Sequence, residues 1–141
     1  MSYRSGVLRC PACAGAMQEQ RFASVGLDVC DDCGGVWIEW FDGDPASVAR
    51  VVPSRRGIPG QQLSERKCPS CRVALDRVRY PDVSDGAEVA RCGECAGTFV
   101  AANQVAVLAR APEPDAQPQE EEHFFRALLD RLRAWLAAGR P

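Results

Sequence analysis

Only one histidine, His123, occurs in 141 residues. It stands in an acidic stretch, which leaves no material for a Ser/His/Asp or Cys/His nucleophile, and it reads as a solvated residue at a helix start. Long apolar runs are also missing. No stretch approaches the about 18 uncharged apolar residues of a membrane span, and Met1 to Arg9 carries no apolar core of signal-peptide length. The expectation is a soluble cytoplasmic protein with no membrane partner. A glycine-rich phosphate loop is absent as well. Neither charge sign dominates: 17 Lys and Arg against 19 Asp and Glu give a net charge of −2. A large nonspecific nucleic-acid surface would need clustered Lys and Arg. With no catalytic constellation in view, the protein is expected not to be an enzyme.

What the chain does have is 8 cysteines, arranged as an internal repeat. The first copy runs Cys10-Pro11-Ala12-Cys13, sixteen residues, then Cys30-Asp31-Asp32-Cys33-Gly34-Gly35-Val36-Trp37. The second runs Cys68-Pro69-Ser70-Cys71, twenty residues, then Cys92-Gly93-Glu94-Cys95-Ala96-Gly97-Thr98-Phe99. The extra residues fit a longer hairpin tip at Pro81 to Gly86, since loop length adds little closure entropy. Modules of about 40 residues bury too little surface to fold unaided, so they need a staple. A Cys-x-x-Cys turn delivers two thiolates to one ion and two such turns complete a tetrahedron, so the expectation is two zinc ions. One would be held by Cys10, Cys13, Cys30 and Cys33, the other by Cys68, Cys71, Cys92 and Cys95. A shell of four protein ligands leaves no open position, which makes these sites structural. A rubredoxin-type iron site and redox or disulfide use are the alternatives. Each occupied zinc site would carry a charge of about −2.

The segments between cysteines alternate weakly and read as hairpins. Met17–Phe22 and Leu27–Cys30 flank a turn near Gly26; Leu75–Tyr80 and Glu88–Cys92 form the second hairpin; Val36–Ile38 and Thr98–Val100 supply third strands. Trp37 and Phe99, at equivalent places, are expected to fill a minicore beside the metal. Asp44 as cap and Pro45 at the first helical position predict a short helix through Val51, and Ala101 to Arg110 reads as another, with Asn103 as a possible start. Pro11 and Pro69 stiffen their turns. Gly15, Gly35 and Gly97 are expected to supply a positive φ; Val73 in the corresponding place predicts that the Cys68/Cys71 turn differs.

The expected fold is small, metal-stabilised and mostly β: two tandem three-stranded antiparallel zinc ribbons with short helices and a C-terminal amphipathic α-helix. Residues 1–52 form the first ribbon, 53–66 a linker, 67–110 the second ribbon, 111–119 an acidic proline-rich spacer and 120–139 the helix. The linker leaves the relative placement of the ribbons open. In the final helix Phe124, Phe125, Leu128, Leu129, Leu132, Trp135 and Leu136 recur at helical steps, so an apolar stripe awaits burial.

The run Cys10-Pro11-Ala12-Cys13 with Leu27-Asp28-Val29-Cys30-Asp31-Asp32-Cys33-Gly34-Gly35-Val36-Trp37-Ile38-Glu39 resembles the bacterial transcription factor IIB-type zinc-finger family. That pattern is Cys-Pro-x-Cys followed by Cys-x-x-Cys-Gly-Gly-Val-Trp-Leu-Asp. The resemblance implies zinc at Cys10, Cys13, Cys30 and Cys33. The second copy is divergent: Ala96, Thr98, Phe99 and Ala101 depart from Gly, Val, Trp and Asp, so the ligands carry over but not the surface.

Two functional readings follow. The first is a non-catalytic interaction module whose C-terminal helix offers its stripe to a protein partner or to its own copy; packing on its own ribbons is the simpler alternative. The second, less favoured, is a nucleic-acid-binding or transcription-associated role through Arg50, Arg55, Arg56, Arg66 and Lys67. A zinc-dependent chaperone or redox sensor is a minor third.

Overall fold

The computed structural model of the protein describes residues 6–55, 66–80, 83, 86–112 and 120–139, with side chains of the last stretch described at 126–137 and 139. The centre of the linker (56–65), most of the second hairpin tip (81–82 and 84–85) and spacer residues 113–119 lie outside these residues. So do the side chains of Glu121, Glu122, His123, Phe124 and Phe125. Two compact units form, Met1–Ala111 and Pro112–Pro141.

The first unit holds six strands: β1 (Met17–Phe22), β2 (Val25–Cys30), β3 (Val36–Ile38), β4 (Asp76–Tyr80), β5 (Ala87–Arg91) and β6 (Thr98–Val100). In β1–β2 the turn is Ala23-Ser24, not the neighbourhood of Gly26, which lies inside β2 opposite Arg21. Val25 continues the alternation of the buried Leu27 and Val29, so the strand runs back to it and leaves two residues for the turn. Ala23 takes the positive φ of 52°.

The ribbons are not separate beads. Strand order is β1-β2-β3-β6-β5-β4 in one sheet, with every neighbouring pair antiparallel. At the seam β3 pairs with β6, Val36 opposite Val100, Trp37 opposite Phe99 and Ile38 opposite Thr98. Trp37 thus faces its own repeat equivalent, and the register gives the two ribbons a pseudo-two-fold relation. The outer strands β1 and β4 carry charged and polar side chains, including Glu19, Arg21, Asp76, Arg77 and Arg79. Such edges discourage pairing with another chain.

The period-2 alternation sends side chains to two faces. On one, Leu27, Val29, Val36, Ile38, Ala87, Val89 and Val100 form an aliphatic core with two short helices. These are α1 (Pro45–Val51) and α2 (Ala102–Leu108), which contribute Ala46, Val48, Ala49, Val105 and Leu108 and pack against each other. Arg50 Nη2 donates to the carbonyl of Ala111 at 2.6 Å, and the Glu88 N–H to Gln104 Oε1 at 3.0 Å. The start of α1 is capped by Asp44 Oδ2, which accepts from Ser47 N at 3.0 Å, with Pro45 in the first turn. By contrast α2 does not begin at Asn103. Its cap position is Ala101, with no side-chain bond, because the chain turns into the helix directly at the end of β6 to bury Ala102 and Val105.

The second unit contains α3 (Glu120–Ala138). Leu128, Leu129, Leu132, Trp135 and Leu136 are exposed along it. Among the described residues no helix is long and apolar enough to cross a membrane.

Candidate metal centres

The other face of the sheet gathers the cysteines. Cys10, Cys30, Cys33, Cys68 and Cys92 are buried with Met17, Trp37, Ala90 and Phe99 in one cluster. Four turns of identical backbone pattern present the sulfurs. In each, the N–H of the first cysteine donates to the carbonyl five residues on. The residue after the second cysteine donates back to the first cysteine's carbonyl. The pairs are Cys10 with Gly15 and Ala14, Cys30 with Gly35 and Gly34, Cys68 with Val73 and Arg72, and Cys92 with Gly97 and Ala96, all between 2.8 and 3.0 Å. The Cys68/Cys71 turn therefore follows the other three, contrary to the expectation from Val73.

That expectation failed because the positive φ falls one residue earlier than the sequence suggested. Ala14 (φ 60°), Gly34 (73°), Arg72 (65°) and Ala96 (57°) carry it, whereas Gly15, Gly35 and Gly97 do not. The glycines serve space instead. A Cβ on Gly35 would stand 2.7 Å from Phe99 Cε2 and 3.4 Å from Cys33 Sγ; one on Gly97 would stand 2.8 Å from Trp37 Cη2. Each aromatic thus crosses the seam into the opposite ribbon's metal turn. The minicore is shared between ribbons rather than private to each. Gly15 admits the Asp32 side chain beside Cys13.

Within each group of four cysteines the sulfurs lie inside 4.8 Å of one another. Cys10 and Cys33 are 3.5 Å apart, Cys13 and Cys30 3.4 Å, and Cys68 and Cys95 3.7 Å. A tetrahedron with bonds near 2.3 Å has edges of about 3.8 Å, so both cages have the dimensions of a four-thiolate zinc shell. Backbone N–H groups aim at sulfur: Ala12 at Cys10 (3.4 Å), Gly15 at Cys13 (3.4 Å) and Cys71 at Cys68 (3.3 Å). These donors stabilise thiolate charge.

Without a cation the crowded thiols of each cage shift in both directions. Burial pushes Cys10 up and carries Cys33 from 9.0 to about 11. Burial also raises Cys68, and the neighbouring Cys95 thiol, more than burial, takes Cys71 to about 12. Burial opposes ionisation at Cys13 too, but the Gly15 N–H and adjacent thiols bring it below its ordinary value.

Among the described residues three buried polar atoms lack a partner: Trp37 Nε1, Arg66 Nε and Arg66 Nη2. Arg66 lies with its guanidinium 4.9 Å from the Phe99 ring centroid. Of the residues expected to form a basic face, Arg66 is buried, Arg50 is tied to Ala111 and Arg56 lies outside the described residues. Arg55 and Lys67 are exposed.

One feature escaped the sequence reading. Trp40 and Phe41 are 71% and 63% exposed and stack edge to face with centroids 5.7 Å apart. They belong to the segment between β3 and α1, where β6 runs almost directly into α2. Beside them is a cleft of about 370 Å³ lined by Ile38, Glu39, Trp40, Asp44, Tyr80, Arg91 and Thr98 among others. Burial and the charge of Asp44 raise Tyr80 there. The signal was present: aligning the repeats beyond Trp37 and Phe99 exposes an insertion in the first copy alone.

Compared with known proteins, residues 9–42 match the model of the transcription factor zinc-finger family, a TFIIB-type zinc ribbon. The matched span holds the first cage and Trp40–Phe41, and the second four-cysteine cluster lies outside it. No curated protein and no solved structure matches the chain.

Proposed function

We propose that the protein is a non-catalytic double zinc ribbon, with one zinc ion in each four-cysteine cage, acting as an adaptor between protein surfaces. Zinc is supported by the all-thiolate donor set, the tetrahedral edge lengths and the family match over residues 9–42. Four protein sulfurs per ion leave no position for water or substrate, which fits a structural rather than a reactive metal.

The adaptor reading rests on one observation: each compact unit bears an exposed apolar surface. The first unit carries Trp40 and Phe41 beside a cleft; the second carries Leu128, Leu129, Leu132, Trp135 and Leu136 along α3. Exposed aromatic and leucine side chains grouped in this way favour protein contacts. Phosphate binding has less support, because Arg50 and Arg66 are engaged within the chain and the net charge is −2.

The test is Leu132→Glu with Trp135→Glu in the full chain, followed by light scattering and metal analysis. Two zinc ions per chain should remain while self-association or capture of a protein partner is lost. Unchanged association would remove α3 as the contact, and fewer than two zinc ions in the unsubstituted protein would remove the metal assignment.

A further inference from the structure

The two cages share a backbone but not an electrostatic environment. Residues two before each first-turn cysteine are equivalent: the Leu8 carbonyl accepts from Met17 N and the Arg66 carbonyl from Leu75 N, both at 2.9 Å. At the first place stands an apolar side chain, packed against the cysteine cluster. At the second stands a guanidinium, 8% exposed, with Nε and Nη2 lacking any partner. A buried cation left uncompensated is costly, so its presence asks for a nearby anion.

Its position names that anion. Arg66 lies on the face of Phe99, and the Phe99 ring sits on Gly35 next to Cys33 Sγ. Although Arg66 is two residues from Cys68, the aromatic carries it across the seam toward the first cage. The charges acting on it agree. Burial, then Arg77, lower the guanidinium to about 10, while Cys10, Glu88 and Cys33 oppose them.

We infer that Arg66 is the charge-compensating residue of the first metal centre, supplied in trans by the second ribbon, and that the two centres are therefore unequal. A zinc ion with four thiolates carries about −2, and a desolvated guanidinium beside it disfavours loss of the metal and attack on its sulfurs. The second centre faces the neutral indole of Trp37 instead, which lies over Gly97. It is also more open: Cys71 and Cys95 are not buried, whereas three of the first centre's four thiols are. The second centre is the exchangeable one, and the first is the permanent one.

The inference rests on the zinc reading above, and metal analysis separates the two: without two bound ions that reading fails, and with two ions released alike this one fails. Zinc-loaded full-length protein is challenged with a chelator in the presence of an alkylating agent, and the modified cysteines are mapped by mass spectrometry over time. Cys71 and Cys95 should be modified at least about tenfold sooner than Cys10 and Cys13, within the about 10- to 100-fold range typical of outer-shell partners. Arg66→Leu should accelerate release from the first centre by a similar factor and leave the second unchanged, with Arg66→Lys intermediate. Equal acceleration of both centres would reduce Arg66 to a packing residue and overturn the inference. Should Arg66→Leu not fold, Leu8→Arg decides. It places a guanidinium at the equivalent position and should slow release from the second centre about tenfold; no slowing overturns the proposal.

Discussion

At the scale of single residues, the metal turns separate two demands that a glycine can meet. One is conformational. Ala14, Arg72 and Ala96 hold positive φ angles of 60°, 65° and 57°, where a side chain costs about 1–2 kcal/mol and glycine does not. Ala96→Gly is therefore expected to raise unfolding stability by about 0.5–1 kcal/mol, read from denaturant midpoints of the zinc-loaded protein. The other demand is space. Gly35→Ala would drive a methyl group into the Phe99 ring and should cost about 1–3 kcal/mol. Combining it with Phe99→Leu should recover part of that loss, because the two changes share one volume. Strict additivity would mean that the ring and the glycine are not in contact.

At the scale of elements, each pair of metal turns is a proton-coupled unit. Cys10, Cys33, Cys68 and Cys71 are all raised in the folded chain without metal, Cys33 to about 11 and Cys71 to about 12 from an ordinary 9.0. The sign follows directly. Raised thiols hold protons at neutral pH, so an incoming ion must displace them, and metal is retained as pH rises and lost as it falls. Zinc binding in two buffers of different ionisation enthalpy should report proton release. The loaded protein should lose melting temperature on acidification; a melting temperature independent of pH through the acidic range would contradict the assignment. The helices are decided by simpler means. Asp44 and Pro45 announced α1 because capping is local, whereas Asn103 misled because α2 is started by the end of β6.

At the scale of the molecule, the β3–β6 seam makes the ribbons one cooperative object. Phe99 is seated in the first ribbon's second turn and Trp37 in the second ribbon's, so loss of the first metal site should loosen the second. Cys10→Ser with Cys13→Ser is expected to lower bound zinc from two ions to well below one per chain. Independent ribbons would retain one, a result that elemental analysis distinguishes.

The two four-cysteine groups, the hairpins, the short third strands and the helical stripe at the C-terminus were all readable from the chain. Cysteine chemistry is carried by residue identity, and turns, caps and strand alternation are set by neighbours close in sequence. The joining of β3 to β6 was not readable, nor the exchange of Trp37 and Phe99 between ribbons, nor the placing of Arg66 toward the opposite cage. Those depend on which of two equally apolar edges meet, and no periodicity within either ribbon encodes a pairing between segments so far apart in the chain. Sequence alone thus determined two four-cysteine groups set in small hairpin modules, because residue type and spacing are local; the tertiary structure decided that the modules share one sheet and one aromatic core, because those contacts join segments far apart in the chain.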